Sequence, residues 1–178
     1  MKKTISLLFF ALFACGVFAQ DNNEAVNTNK WIDTYSGLNA AKDWNGMLSK
    51  LAECRAEVPN WEFADYYEGV ANFNLKNYQK AVDALTSFIQ KNQSTPAAFL
   101  YRGNAYLEMK EPIFAIKDYD EYLKATPNDI PTMLSKAQAR LITKDYANYI
   151  TDLTAVLAKK KKNVDALSNR AAAYAIQK

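Results

Sequence analysis

The feature that most constrains this chain is a spacing of 34 residues that recurs along most of its length. Small residues keep this spacing in the series Gly69, Gly103, Ala137 and Ala171. Large apolar residues keep it in the series Phe73, Leu107 and Leu141. A fixed period of roughly 20 to 50 residues indicates stacked supersecondary units, none of which can bury its apolar face alone. The sequence therefore predicts an array of repeats.

Each repeat also has a helix start and an apolar stripe of its own. Turn residues recur with the same period at Asp43, Asn77, Glu111 and Asp145, and Asp or Asn there can cap a helix. Apolar residues follow each of them at i, i+4 and i+7, which is the spacing of one helix face. The sets are Met47, Leu51 and Cys54; Ala81, Leu85 and Phe88; Ala115, Tyr119 and Tyr122; Tyr149, Leu153 and Val156.

Two antiparallel helices per unit, joined by a tight turn, account for these patterns. Between units, Thr95 and Pro96 are typical of a helix start, and the segment TPNDIP ends one helix and begins another. The predicted repeat domain spans residues 28–178, with units 28–61, 62–95, 96–129 and 130–163 and a partial unit 164–178. The predicted fold class is all-α, an α-α superhelix of stacked antiparallel helix pairs.

Gly103 lies inside the helical stretch FLYRGNAYLEMK, where a glycine costs about 1 kcal/mol relative to alanine. We expect it where the first helix of its unit crosses the second, opposite the small Ala115. Two helix backbones approach closely only where neither side chain intervenes, and the packing gained then exceeds the entropic cost of the glycine.

Residues 1–19 have the pattern of a secretory signal peptide. Lys2 and Lys3 precede an apolar run that begins at Ile5, and Val17 and Ala19 have the A-x-A-like spacing of a cleavage site. A transmembrane anchor is the less favoured alternative, because the apolar run is short and polar residues follow it. We expect cleavage after Ala19, a disordered linker over residues 20–27, and an exported, periplasmic or envelope-associated protein without a membrane span.

A second export pattern is centred on Cys15. The segment LFAC resembles the lipobox of bacterial lipoproteins, in which the cysteine is lipidated and becomes the mature N-terminus. Phe13 and the apolar residues after Cys15 fit that pattern poorly, so lipidation at Cys15 is the alternative to cleavage after Ala19. Cleavage after Ala19 would leave Cys54 as the only cysteine, which excludes an intramolecular disulfide.

The composition argues against several classes of function. The 178 residues include no histidine, the usual general base and the commonest transition-metal ligand. The sequence has no metal-ligand cluster, Gly-rich phosphate loop or nucleophile motif, so we expect no enzyme activity, no cofactor and no metal. The net charge of +3 falls to about +1 once Lys2 and Lys3 are removed, so nucleic acid is not an expected partner.

Two charged clusters are interpreted as solvated surface. Lys159 to Lys162 would lie at a helix end, where positive charge complements the helix dipole. Asp118, Asp120 and Glu121 have a spacing that scatters them over one helix, so we expect solvated charge rather than a general acid-base pair. Cys54 lies in a core stripe and is interpreted as a small hydrophobe.

The residues of the third unit resemble the signature of the tetratricopeptide repeat family. Phe99, Gly103, Tyr106, Ala115, Tyr119 and Pro127 stand at the signature positions. The chain departs from the signature at the leucine that precedes the glycine, which is replaced by Glu68, Arg102, Lys136 and Arg170. The first unit is the weakest match, with Tyr35 where a small residue is expected. The resemblance covers about residues 28–178.

The resemblance implies that the first helices line a concave groove that binds a peptide or partner segment. The implied peptide-binding residues are Phe63, Tyr66, Val70, Phe73, Asn74, Leu100, Asn104, Leu107, Glu108, Leu134, Gln138 and Leu141, with Ile142 beside them. Packing between repeats is the alternative role for each of them, and we expect Tyr66, Asn104 and Gln138 to be the most exposed. Family members that grip a C-terminal carboxylate use Lys, Arg and Asn at places that here hold Tyr66, Val70, Tyr101, Pro131 and Ser135, so that clamp is not expected.

The predicted function is a non-enzymatic scaffold for protein-protein interaction, with a protein or peptide partner that the sequence does not identify. The main alternative is the superhelical scaffold portion of a longer envelope enzyme or assembly lipoprotein. The residues VDALSNRAAAYAIQK favour it, because they supply a first helix without a second. Helical-repeat RNA binding is a third alternative, which the export pattern and the low net charge argue against. The sequence does not fix the oligomeric state.

Overall fold

The structure is a computed structural model that describes residues 26–176. The helices in this range are residues 26–41 (α1), Trp44–Ser49 (α2), Leu51–Glu57 (α3), Phe63–Asn74 (α4), Tyr78–Lys91 (α5), Pro96–Glu108 (α6), Pro112–Ala125 (α7), Ile130–Ile142 (α8), Tyr146–Lys159 (α9) and Val164–Ile176 (α10). The same range contains no strand. The predicted signal peptide and both predicted processing sites lie outside the described residues. Residues 26 and 27, assigned to the linker from the sequence, belong to α1.

The helices stack in the order of the chain. We call α1, α4, α6, α8 and α10 the first helices, and α5, α7 and α9 the second helices; α2 and α3 together form the second helix of the first pair. Each helix from α4 to α9 packs against the one before it and the one after it, α10 packs on α9, and α4 also contacts α6. The predicted α-α superhelix of helix pairs is thereby confirmed. None of the helices between residues 26 and 176 is both long and apolar enough to span a bilayer.

The apolar stripes predicted for the second helices form the core between the pairs. Their members are at most 8% exposed, apart from the half-buried Tyr122. Burying a side chain such as Leu85 or Phe88 contributes about 1.5–3 kcal/mol, so the stack is held together mainly by these stripes. In the first unit Tyr35 is also fully buried, and its ring stacks on Tyr67 with 4.8 Å between centroids.

The turns inside the pairs repeat a backbone feature that the sequence analysis missed. Lys42, Lys76, Lys110 and Lys144 all have positive φ, between 55° and 64°. In the second of these turns the Lys76 N–H donates to the Phe73 carbonyl over 2.9 Å and the Asn77 N–H to the Asn72 carbonyl over 2.8 Å. This is the Schellman arrangement that ends a helix, and glycine is its usual left-handed residue. The recurrence of lysine every 34 residues at this position was the feature of the sequence that could have indicated a repeated turn.

The turn residues begin the second helices, but their side chains act differently. Asp43 and Asp145 accept from the backbone N–H groups of the third residue beyond each of them, as expected of a cap. The side chain of Asn77 does not cap α5 and instead donates to Asn72 over 3.3 Å. The side chain of Glu111 likewise makes no capping bond to α7, where Pro112 at the first helical position has no N–H that needs an acceptor.

Gly103 lies at a close crossing of α6 and α7, but its neighbours there are Tyr119 and Asp118 and not the expected Ala115. A Cβ at this position would lie 3.0 Å from Cε1 of Tyr119 and 3.1 Å from Cβ of Asp118, whereas Ala115 is not among its nearest neighbours. The crossing therefore falls about one helical turn beyond Ala115. A Cβ at Gly69 would overlap Leu85, which holds the same relative place in the preceding pair. Both glycines thus provide room for a large side chain.

Candidate functional site

The groove residues implied by the sequence lie on α4, α6 and α8, but they differ in accessibility. The exposed ones are Asn74, Glu108, Gln138 and Leu141, and the half-buried ones are Phe63, Tyr66, Phe73, Leu100, Asn104, Leu107 and Leu134. Val70 is 2% exposed and lies in the packing between helices, so it contributes no solvent-facing surface. Of the three residues expected to be most exposed, Gln138 is exposed, whereas Tyr66 and Asn104 are half-buried.

The end of the groove nearest the N-terminus is aromatic. The ring of Tyr66 lies 5.3 Å from that of Phe88 and 6.4 Å from that of Tyr101, and Phe73 lies 5.6 Å from Tyr101. Burial raises the pKa of Tyr66 to about 12, so its hydroxyl is neutral at physiological pH. These rings pack across the boundary between two helix pairs, which explains why Tyr66 is less exposed than expected.

In the middle of the groove, a side chain of the second helix α7 makes a hydrogen bond to the first helix α6. The Tyr119 hydroxyl of α7 donates to Oδ1 of Asn104 over 2.8 Å, and Tyr119 itself is fully buried. Burial raises the pKa of Tyr119, and the nearby Ser135 of α8 partly opposes that rise. The Tyr119 phenol therefore links α7 to α6. Asn104 is fixed in place by this bond, so part of its amide is already occupied.

The end nearest the C-terminus forms a cleft between α8 and α10, with a volume of 390 Å³. Leu134, Gln138 and Leu141 contribute to it from α8, and Asp165 and Asn169 from α10. Leu141 is 39% exposed, and the neighbouring Ile142 is 48% exposed. The cleft thus combines aliphatic side chains with two amides and one carboxylate, and it brings together three of the predicted groove residues.

A second depression, of 590 Å³, lies on the side of the second helices, between α5 and α7. Tyr106 and Phe114 are among its lining residues, and their rings stack at 5.2 Å. Phe114 is 49% exposed, and the adjacent Ile113 is 61% exposed. Ile113 is not one of the groove residues implied by the sequence, so it provides a comparison for changes in the groove.

Basic side chains on the first helices form a ladder of ion pairs with the second helices. Arg102 on α6 binds both oxygens of Asp118 on α7, at 2.8 and 2.7 Å, and reaches Thr86 of the preceding second helix at 3.2 Å. Lys136 on α8 contacts Asp152 on α9 at 3.2 Å and Asp120 on the preceding second helix at 3.0 Å. The ladder occupies the position at which the family signature has leucine.

The ladder overturns one expectation from the sequence. Asp118 was expected to be solvated, but it is 4% exposed and paired with Arg102. Burial raises the pKa of Asp118, and the Arg102 guanidinium offsets only part of that rise. Asp120 and Glu121 are exposed, as expected. Asp118 therefore has a structural partner, and it does not face the groove as an acid.

Two further features of residues 26–176 concern metal ligands and the reactivity of Cys54. Between residues 26 and 176 no group of three or more His, Cys, Asp or Glu side chains could hold a metal ion. Cys54 is fully buried, and burial raises the pKa of its thiol, which disfavours the nucleophilic thiolate. The groove offers apolar contact, amide hydrogen bonds and negative charge, which suit the binding of a polypeptide segment.

Comparison with known proteins supports this fold. No protein-family model matches the chain. Human tetratricopeptide repeat protein 21B is 34% identical over 127 residues, which are 70% of this chain and 9% of the relative. The chain thus spans less than a tenth of the length of that relative.

Solved structures agree in fold at low identity. YrrB, described as a TPR protein with an unusual peptide-binding site, superimposes with a TM-score of 0.74 at 15% identity over 83% of this chain and 76% of its own. The first TPR of Spaghetti (RPAP3), bound to the HSP90 peptide SRMEEVD, superimposes with a TM-score of 0.54 at 17% identity over 65% of this chain and 94% of its own.

Proposed function

Because the helix-pair fold and the similarity to tetratricopeptide repeat proteins support placing this chain in the tetratricopeptide repeat family, we propose that it is a non-enzymatic interaction scaffold. It binds a peptide or partner segment on the concave surface lined by α4, α6 and α8, with α10 completing the cleft. The YrrB and RPAP3 structures support the proposal, since both are described with a peptide or a peptide-binding site.

The observation that carries the proposal is the cleft between α8 and α10. Leu134 and Leu141 supply apolar surface, while Gln138 and Asn169 offer amide donors and acceptors along the same cleft. A ligand pocket typically combines mostly apolar walls with a few polar groups that fix orientation. Leu141 and Ile142 remain substantially exposed in the free chain, so a partner that covered them would remove apolar surface from water.

A selection of displayed random peptides on the purified chain tests the proposal. Selected peptides would be titrated against the wild type, Leu141→Gln and the matched variant Ile113→Gln. Both changes replace an exposed aliphatic side chain on a helix, one in the groove and one on the side of the second helices. We expect Leu141→Gln to weaken binding by roughly tenfold and Ile113→Gln to leave it unchanged.

Far-UV circular dichroism of both variants would verify that the helices are retained. If Ile113→Gln abolished binding while Leu141→Gln did not, the interaction surface would lie near α7 and the groove assignment would be wrong. If no peptide were enriched over an unrelated helical protein, the scaffold proposal itself would fail.

Export is a further part of the proposal, supported by the basic start, the short apolar run and the small residues at Val17 and Ala19. Expression in a bacterial host followed by fractionation and N-terminal sequencing tests it. A mature chain that begins at Gln20 supports cleavage, and a lipid-modified Cys15 supports the lipoprotein alternative. An unprocessed chain retained in the cytoplasm would contradict both.

A second candidate function is the scaffold portion of a longer envelope enzyme or assembly lipoprotein. It is favoured by α10, where Leu167 and Tyr174 are 44% and 52% exposed. A partner domain packed there would bury both side chains. Oxidative footprinting of Tyr174 distinguishes the candidates, because protection in the cell relative to the purified chain favours the second one and equal labelling contradicts it.

A further inference from the structure

We propose that the ligand of the groove is an apolar polypeptide segment that carries a lysine or an arginine, selected by the carboxylates of Asp165 and Glu108. This inference rests on the groove function proposed above and adds the charge of the partner. It follows from where the acidic and basic side chains of the first helices point.

Asp165 lies at the C-terminal cleft, beside the apolar side chains that would hold a ligand. It lines the cleft together with Leu134, Leu141 and Asn169, and it is exposed to solvent. Asp165 takes part in no salt bridge within residues 26–176. A ligand seated on the leucines would therefore meet a carboxylate that has no salt-bridge partner and is balanced only by the N-terminal end of the α10 dipole.

Glu108 supplies a second carboxylate, from the end of α6. It is exposed, and it lies near Tyr78 of α5, whose pKa is raised by desolvation and then by the charge of Glu108. It follows Asn104 by four residues on α6, so it lies on the same helix face as the Asn104 contact in the middle of the groove. Like Asp165, it forms no salt bridge with any side chain that the structure describes.

The basic side chains of α6 and α8 are paired with second helices, and Arg170 of α10 forms no salt bridge but donates to the Thr154 hydroxyl of α9 over 3.2 Å. On α8, Lys136 contacts Asp120 and Asp152, and Arg140 contacts Asp152 at 2.7 Å and Asp145 at 3.1 Å. On α6, Arg102 is held by Asp118. These cations serve the packing of first helices on second helices. None of the cleft-lining residues and none of the groove residues implied by the sequence is a lysine or an arginine.

The residues that line the groove are therefore apolar, amide or acidic with no lysine or arginine among them, and the nearest basic run along the chain is Lys159 to Lys162, just before α10. A carboxylate-rich segment placed there would meet like charge and lose its hydration, whereas a lysine or arginine would gain an ion pair at the rim. Such complementarity determines which partner binds more than how tightly it binds. The aliphatic surface supplies the affinity, and Asp165 and Glu108 select the sign of the charge.

Two synthetic amphipathic peptides test the inference. They share one leucine pattern and differ only in carrying lysine or glutamate at every polar position. With an uncharged dye, fluorescence anisotropy should show the lysine peptide bound roughly tenfold more tightly at about 50 mM salt, and the preference should shrink at about 0.5 M salt because exposed charges are then screened.

The variant Asp165→Asn/Glu108→Gln should reduce the preference for the lysine peptide to within roughly twofold. The matched control Glu121→Gln removes an exposed carboxylate from α7, outside the groove, and should retain the full preference. Equal binding of the two peptides to the wild type, or tighter binding of the glutamate peptide, would overturn the inference while leaving a peptide-binding groove in place. Absence of binding by either peptide would instead count against the groove itself.

Discussion

Replacing Arg102 by leucine and Asp118 by alanine, singly and together, tests what the buried ion pair between α6 and α7 contributes to stability. Leucine stands at the first position in the signature that the third unit resembles, and alanine stands at the equivalent second position of the preceding unit, Ala84. The pair is bidentate, and its side chains are 16% and 5% exposed. It is the most buried of the salt bridges among residues 26–176.

The magnitude follows from burial. Removing one partner of a buried pair strands the other charge and costs about 3–5 kcal/mol. We expect Asp118→Ala to cost about 3 kcal/mol, at the lower end, because Arg102 keeps 16% exposure and its contact with Thr86. Arg102→Leu should cost at least as much, because the carboxylate left behind is 5% exposed. The double variant removes both charges and should lie within about 1 kcal/mol of the wild type.

Urea unfolding at neutral pH, followed by far-UV circular dichroism, measures these differences, provided that the slope with denaturant stays constant across the four proteins. The same cycle on the exposed pair Glu121 and Lys124, where the side chains are 46% and 69% exposed, serves as the control and should show no measurable coupling. The reasoning is refuted if the double variant is as unstable as the sum of the two single variants, because the charges would then contribute independently.

Three further changes test other parts of the fold. Tyr35→Phe should raise the free energy of unfolding by about 1 kcal/mol, because the buried Tyr35 hydroxyl has at most the weak Cys54 thiol as a partner. Lys76→Gly should raise it by about 0.5–1 kcal/mol by relieving a left-handed backbone at φ 64°, whereas Lys80→Gly inside α5 should lower it by about 1 kcal/mol. Asp65→Asn should make the free energy of unfolding fall less steeply on acidification than it does in the wild type. Burial alone would raise the pKa of Asp65, but hydrogen bonds from Lys91, Ser87 and Arg55 lower it, so the ionised form stabilises the fold above about pH 5 and that stability is lost on acidification.

Thermal and urea unfolding monitor all three changes, and Asp65→Asn requires a series of pH values. A destabilised Tyr35→Phe would show that the hydroxyl has a real partner. Equal losses for Lys76→Gly and Lys80→Gly would show that the left-handed turn is not strained. Parallel acid profiles for Asp65→Asn and the wild type would show that the Asp65 carboxylate does not titrate differently on folding.

The repeat, the second-helix stripes and most helix starts could be predicted from the sequence because each depends on residues close together in the chain. Pro96 and Pro112 stand at first helical positions, as their fixed φ suggests. Leu85 and Phe88 are buried, as their place on one helix face requires. Because helix starts and apolar stripes recur every 34 residues, a helix boundary misplaced in one unit can be corrected from the equivalent residues of the others.

The accessibility of the candidate groove could not be predicted in the same way because it depends on contacts across unit boundaries. Tyr66 lies against Phe88 of its own pair and Tyr101 of the next one, and Asn104 is held by Tyr119. A helical stripe shows which side of a helix is apolar. It does not show whether a tyrosine from the adjoining helix will cover part of that side.

The charged residues at the leucine position show how the period could have been used further. Arg102 and Asp118 are 16 residues apart, as are Lys136 and Asp152, and in both cases the basic residue lies on a first helix and the acidic one on the following second helix. Glu68 has Ala84 at that separation and pairs with Arg55 of the preceding second helix instead. A recurring separation between opposite charges therefore predicts an interhelical contact. Because Arg102 and Lys136 pair with second helices, neither of them neutralises Glu108 or Asp165, the two carboxylates to which we assign the charge selectivity of the groove.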